Sequence, residues 1–235
     1  MSRNAAELHL FSTEGRRDGM EWVIEACRPY LEKKAEPLLA YLPLASLLAD
    51  RSVEETQKCF QGLAHLVTIN TETMELPEME LVLRRADAIY IPGGNTFLLN
   101  HRLHISHLFD YLQQKLQAGL PLIGVSAGAV LCGPNILTSN DLNMVGTSHF
   151  DALKLTPFNF NLHYTGDVQK DEWLNDYRHF HDNPILLIED DAYIRIRGKT
   201  AMLVRGEAWI WRAGHEKERL AAGKEIYPYP EAKNG

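Results

Sequence analysis

Leu120-Pro121-Leu122-Ile123-Gly124-Val125-Ser126-Ala127-Gly128 is the stretch that decides the fold, because an apolar run ends there on a serine set between two glycines. A run of this kind followed by small residues reads as a strand that turns sharply into a helix and exposes a hydroxyl at the turn. The glycines remove Cβ atoms where the backbone is tight, and Ala127, Gly128 and Ala129 let the helix begin close to the sheet. Ser126 then stands at a helix N-terminus, where free N–H groups and the dipole favour the negative charge that develops in acyl transfer. Gly-x-Ser-x-Gly is short and common, so it does not by itself separate a nucleophile from a structural turn. A base and oxyanion donors have to be found elsewhere in the chain.

Upstream of this turn, apolar and turn-forming segments alternate in a βαβα rhythm, which implies a mainly parallel sheet with helices on both faces. Residues 7–11 read as the first strand and 12–15 as the loop after it. Trp22, Val23, Ala26, Cys27, Tyr30 and Leu31 recur at helical spacing within residues 20–34, with Pro29 as a kink or early stop. A strand follows at 38–42. Ser52 and Glu55 resemble a capping box opening a helix that reaches His65, with Cys59, Phe60 and Leu63 on its inward face. Strands at 66–69 and 88–91 flank a short helix over 80–85. Leu108, Leu112 and Leu116 mark a helix that stops at Gly119.

Beyond residue 135 the pattern changes. Residues 135–161 are rich in Asn, Ser, Thr and Asp, so they read as a long irregular connection of the kind usually kept for function. A helix over 171–180, a buried strand over 184–188, a hairpin of 192–197 with 200–205 turning at Gly198-Lys199, and a strand over 207–212 form an expected antiparallel extension of the sheet. Residues 216–235 are charged, carry Pro228 and Pro230, and read as a loosely attached tail.

The 235 residues suit one α/β domain over 1–235, and 45% hydrophobic with 23% charged residues is ordinary globular composition. The net charge of −7, without a Lys/Arg stripe, argues against a nucleic-acid partner. The start lacks a basic segment leading into an apolar run, and no stretch is apolar enough to span a bilayer, so a cytoplasmic protein without a membrane partner is expected, as monomer or homodimer. Cys27, Cys59 and Cys132 are widely spaced and form no Cys-x-x-Cys pair, so they read as buried reduced thiols.

Pro92-Gly93-Gly94-Asn95-Thr96 is the second informative motif, since paired glycines after a strand can turn N–H groups toward a pocket. Strands ending at Ile91 and Ile123, if parallel, deliver this loop and Ser126 to one carboxyl edge, where open α/β sheets place their sites. Gly94 and Ala127 are then the oxyanion donors. No Gly-x-x-x-x-Gly-Lys-Ser/Thr or Gly-x-Gly-x-x-Gly occurs, which weakens a nucleotide reading of the loop. A serine needs a base, and there are ten histidines. His101, His104 and His107 rotate off one helix face and lack His-Glu-x-x-His, so no metal is expected there. His179 and His181 flank a helix end, where imidazoles meet free carbonyls. His149 and His163 remain, both in the irregular stretch.

Gly93-Gly94-Asn95-Thr96, Gly124-Val125-Ser126-Ala127-Gly128-Ala129, Thr138-Ser139-Asn140-Asp141, Phe150-Asp151-Ala152-Leu153 and Asn161-Leu162-His163 together resemble peptidase E, the α-aspartyl dipeptidase family of serine peptidases related to cyanophycinase. The resemblance covers residues 85–210 and implies a flavodoxin-like or class I glutamine-amidotransferase-like α/β sandwich, with Ser126 as nucleophile, His163 as base, and Gly94 and Ala127 as oxyanion donors. It implies a small peptide substrate and no cofactor. The acidic partner falls in Glu189-Asp190-Asp191, where alignment of Tyr193-Ile194 selects Asp190 with Glu189 and Asp191 one residue away; Asp141 is a further candidate at a family motif position. Asn95, Lys170 and Glu189 are candidate substrate contacts.

Two departures stand out. Asn161-Leu162-His163 replaces the family's Asn-Pro-His, which leaves the backbone less constrained. The family's arginine for a substrate aspartate has no clear counterpart, Lys170 being nearest and Arg178 farther on, and lysine offers a point charge rather than a bidentate fork. Two other readings stay open. One is an esterase or other acyl hydrolase on an α/β-hydrolase scaffold, using the order Ser126, Asp141, His163. The other is a catalytically silent amidotransferase-like binding domain.

Overall fold

Alternation of side chains along the strands sorts the first half of the chain into two apolar faces. In a computed structural model that describes residues 7–15, 20–47, 49–198 and 200–226, β1 (Glu7–Phe11), β2 (Leu38–Tyr41), β3 (His65–Thr68), β4 (Ala88–Ile91) and β5 (Leu122–Val125) pair in parallel in the order β3-β2-β4-β5-β1. Ala88 and Tyr90 point to one face and Ile89 and Ile91 to the other, and all four are buried because both faces are covered. Helices α1 (Glu21–Leu31) and α2 (Ala49–Phe60) cover the Tyr90 face through Val23, Ala26, Cys27, Leu31 and Phe60. On the Ile91 face lie α3 (Leu76–Arg85), α4 (Thr96–Ile105), α5 (Phe109–Gln117) and α6 (Ala127–Val130).

Connection handedness explains this division. The chain crosses the sheet in one direction from β1 to β3 and returns from β3 to β5, so right-handed crossovers put the two sets of helices on opposite faces. As neighbours, β1 and β5 release their following segments toward opposite faces, which opens a crevice above their carboxyl ends. Ser126 stands in that crevice.

The second half departs from the expected single extension. After β6 (Asn159–Leu162), α7 (Val168–Phe180) and β7 (Ile185–Ile188), β8 (Tyr193–Arg197) does join the main sheet antiparallel to β1, and β9 (Thr200–Arg205) pairs antiparallel with β8 beyond it. Strand β10 (Ala208–Trp211) instead pairs with β7, and β7 pairs in parallel with β6, forming a separate four-stranded sheet with β11 (Glu218–Arg219). The separation follows from burial on two sides. Phe160, Leu162, Leu186 and Ile188 pack into the core that contains α6, whereas Ile185, Leu187 and Trp211 pack under Leu174 and Tyr177 of α7.

Smaller differences have local causes. Ser52 lies inside α2, whose first residue is Ala49, and Cys59 is exposed on that helix while Phe60 is buried. Helix α3 starts at Leu76, four residues before the expected start, where the Glu78 carboxylate accepts the Glu75 N–H at 2.9 Å. The tail is tied down as far as it is described: β11 pairs with β10, and β12 (Glu225–Ile226) pairs with β9 and buries Ile226. Residues 227–235 of that tail, and Lys199 of the hairpin turn, lie outside the described residues. Among the described residues no helix is long and apolar enough to cross a membrane.

Helix α6 presses so closely on β4 that a Cβ at Gly128 would lie 2.2 Å from the Ile91 carbonyl oxygen. Because that neighbour is backbone in a fully buried strand, it cannot step aside cheaply. Gly128→Ala is therefore expected to destabilise the fold by about 3 kcal/mol or more in denaturant unfolding, and wild-type stability for this variant would contradict the packing described.

Candidate active site

Ser126 links β5 to α6 with φ +48° and ψ −109°, a left-handed conformation that a side-chain-bearing residue adopts only when its surroundings enforce it. The enforcement is visible on both sides. The Ser126 N–H donates to the Phe11 carbonyl at 2.9 Å, and α6 is held against β4 through Gly128. Beside the turn, the loop after β4 brings Gly93 so near that a Cβ there would lie 3.2 Å from the Ser126 Cβ. Gly94 has φ +135°, and a Cβ on it would lie 2.5 Å from the Ala45 carbonyl oxygen, so this position accepts only glycine. Ala127, first in α6, carries one of the N–H groups that a helix start leaves without an intrahelical acceptor.

The second sheet supplies the imidazole and a carboxylate. His163 follows β6 and Asp190 follows β7, so the parallel β6–β7 pair delivers both residues to one edge. Ser126 Oγ lies 2.9 Å from His163 Nε2, and His163 Nδ1 lies 2.5 Å from Asp190 Oδ1. An ionised carboxylate can only accept, so Nδ1 carries the proton and Nε2 is left to accept from the serine hydroxyl. The side chains of His163 and Asp190 are 44% and 66% exposed, so their ion pair is screened by water and its main effect is to orient the ring.

Asp141 lies elsewhere. Its Oδ2 accepts from the Thr96 N–H at 2.8 Å, the Thr96 hydroxyl at 2.6 Å and the Ser139 hydroxyl at 2.8 Å, which commits the carboxylate to the start of α4. The motif containing it braces the strand that leads to His163: Asn161 Nδ2 donates to the Thr138 carbonyl and Asn140 Oδ1, and Asn140 Nδ2 donates to the Leu162 carbonyl. Asn95 is also occupied, its side chain accepting from the Leu98 N–H and donating to the Leu142 carbonyl. Glu189 points toward Glu207 and Arg219, and burial together with the Glu207 charge raises its carboxyl above the ordinary range.

Lys170 is half-buried at the rim, 3.4 Å from the His163 carbonyl oxygen; burial holds its ammonium below the usual lysine range, opposed by the charges of Asp167 and Asp190. Arg178 is turned away, donating to the Arg212 and His215 carbonyls and lying over the Trp211 ring. His149 stacks on His104, which stacks on Phe109, and His181 stacks on Tyr177. On the glycine side of Ser126, a cavity of about 480 Å³ opens beside Gly93 and Gly94, bordered by Glu14, Tyr41, Glu55 and Cys59. Sequence reasoning passed over Ser12 and Thr13, which touch His163 and Asp190; their one visible signal was a pair of hydroxyls directly after a strand next to β5.

The chain is similar to known proteins in sequence and in fold. The model of peptidase family S51 matches residues 11–204. The chain is 36% identical over 155 residues to a protein of Drosophila melanogaster named "Probable alpha-aspartyl dipeptidase", covering 62% of this chain and 65% of that one. It is 32% identical over 153 residues to "Peptidase E" of Streptomyces coelicolor, covering 61% and 63%. It thus spans just under two thirds of each relative. A solved structure from Listeria monocytogenes EGD-e, described as "a Putative Peptidase E Protein", superposes with TM-score 0.67 at 28% identity over 86% of this chain and 98% of that one.

The two carboxylates should separate on mutation. Asp141→Ala removes the acceptor of three hydrogen bonds and is expected to cost about 1–3 kcal/mol in denaturant unfolding, whereas Asp190→Ala leaves stability unchanged and lowers hydrolysis. An Asp141→Ala protein of full stability, or an Asp190→Ala protein of full activity, would contradict these placements.

Proposed function

The chain belongs to peptidase family S51, and from that premise we propose that it is a cofactor-free serine dipeptidase working through an acyl-enzyme on Ser126. The observation that carries this reading is the unbroken path from Ser126 Oγ through both nitrogens of His163 to Asp190. In the first half-reaction Ser126 Oγ attacks the substrate carbonyl carbon while His163 Nε2 takes the hydroxyl proton, and the Gly94 and Ala127 N–H groups receive the developing oxyanion. Collapse of the tetrahedral adduct breaks the C–N bond, and the same proton passes from Nε2 to the leaving amine. Water then attacks the ester carbonyl and gives a proton to His163 Nε2; collapse of this second adduct breaks the acyl–Oγ bond and releases the carboxylic acid, and the proton passes from Nε2 to Oγ, restoring Ser126. Asp190 keeps the ring in the required tautomer throughout and stabilises the imidazolium.

The esterase order Ser126, Asp141, His163 finds no support, since the Asp141 carboxylate is bound to Thr96 and Ser139. A silent binding domain would have no need of a strained serine at hydrogen-bond distance from an imidazole. Lys170 supplies a positive charge beside the base, suited to an anionic group on the substrate, but without the two-pronged geometry of arginine. Substrates with an N-terminal aspartate are therefore accepted without being required.

Profiling a dipeptide library with wild type and Ser126→Ala tests reaction and specificity together. The variant should lose about 10⁴-fold or more in kcat while remaining folded, and Asp-Xaa members should be cleaved alongside others. Because burial favours the neutral amine of Lys170, its charge is lost earlier than an ordinary lysine's as pH rises, so KM for Asp-Xaa should climb on the alkaline side while KM for uncharged dipeptides holds. Undiminished hydrolysis by Ser126→Ala would reject the proposal.

A further inference from the structure

Three consecutive residues at the end of β1 each hold a different member of the Ser126–His163–Asp190 set. The Phe11 carbonyl accepts the Ser126 N–H at 2.9 Å. Ser12 Oγ accepts the His163 N–H at 3.0 Å and lies 3.5 Å from His163 Nδ1. Thr13 Oγ1 donates to the Asp190 carbonyl at 2.9 Å. Ser126 belongs to the main sheet and the other two to the second sheet, so no shared backbone ladder sets their separation. The hydroxyls of Ser12 and Thr13 span that gap.

His163 has particular need of such a hold. Its φ is +57°, a conformation costing on the order of 1–2 kcal/mol for a residue with a side chain, and Leu162 before it supplies none of the stiffness of a proline. An N–H fixed to a fully buried hydroxyl on one side, and the Tyr164 N–H fixed to the Ile188 carbonyl on the other, leave the ring pointing at Ser126 Oγ. Ser12 is itself anchored, since its N–H donates to the Ala192 carbonyl at 3.3 Å.

We propose that Ser12 and Thr13 are positioning residues whose hydroxyls register the imidazole and the carboxylate of the second sheet against the serine of the first. This rests on the reading of Ser126, His163 and Asp190 as a catalytic set. The two residues act through His163 and Asp190 and touch no substrate, so their loss appears in kcat rather than KM. Small displacements of aligned reacting groups are costly, and each hydroxyl removed is worth about 10- to 100-fold at Ser12 and less at the more exposed Thr13.

The test measures kcat and KM of the full chain on a cleaved dipeptide for wild type, Ser12→Ala, Ser12→Thr, Thr13→Val, Asp190→Asn and the Thr13→Val/Asp190→Asn double variant, with thermal melts to establish folding. The expected result is a kcat loss in Ser12→Ala and Thr13→Val at unchanged KM, partial rescue in Ser12→Thr, and no further loss when Thr13→Val is added to Asp190→Asn. Should Ser12→Ala fail to fold, Thr13→Val and the double variant carry the test alone. Wild-type kcat in the folded variants, losses confined to KM, or a Thr13 effect that simply multiplies with that of Asp190→Asn would overturn the inference. A wild-type protein without Ser126-dependent hydrolysis would instead sink the catalytic reading on which it rests.

Discussion

Close approach of α6 to β4, permitted by the missing Cβ at Gly128, is the constraint on which the rest of the structure depends. It forces the chain from β5 into α6 through a single strained residue, and that residue is the serine. The turn stores its strain in a fully packed surrounding: Leu122, Ile123, Ala127 and Ala129 are all buried, so relaxing Ser126 would mean opening the core. The Ser126 hydroxyl owes its position to rigid elements on both sides.

The other half of the site has a different character. His163 and Asp190 are exposed, come from the end of a second sheet, and meet Ser126 only at the line where the two sheets face one another. Their alignment depends on hydrogen bonds from side chains rather than on burial, with Asn140 and Asn161 behind and Ser12 and Thr13 in front. Exposed in this way, the pair is open to water, which screens its charge interaction.

The parallel half of the fold was legible because its strands are apolar on both faces and bounded by clear turns, as in Ala88-Ile89-Tyr90-Ile91 followed by Pro92-Gly93-Gly94. The second sheet was not, and β6 shows why. Asn159 and Asn161 are fully buried there, one bonded to the Tyr177 hydroxyl and the other to the Thr138 carbonyl, so a buried strand at the edge of its sheet carries the composition of a loop. Ser126 and the glycine loop announced themselves through local spacing, whereas His163 and Asp190 were picked out by resemblance. Ser12 and Thr13 stayed hidden because their partners lie 151 and 177 residues away, and pairings at that range leave no local pattern.

Reaction of the intact protein with a fluorophosphonate, read by mass spectrometry with the modified residue located after digestion, tests most directly whether this architecture activates Ser126. The account predicts one phosphonyl group per chain, on Ser126, and a collapse of labelling in the His163→Ala variant. An unmodified Ser126 in folded wild-type protein, or labelling that persists unchanged without the imidazole, would contradict it.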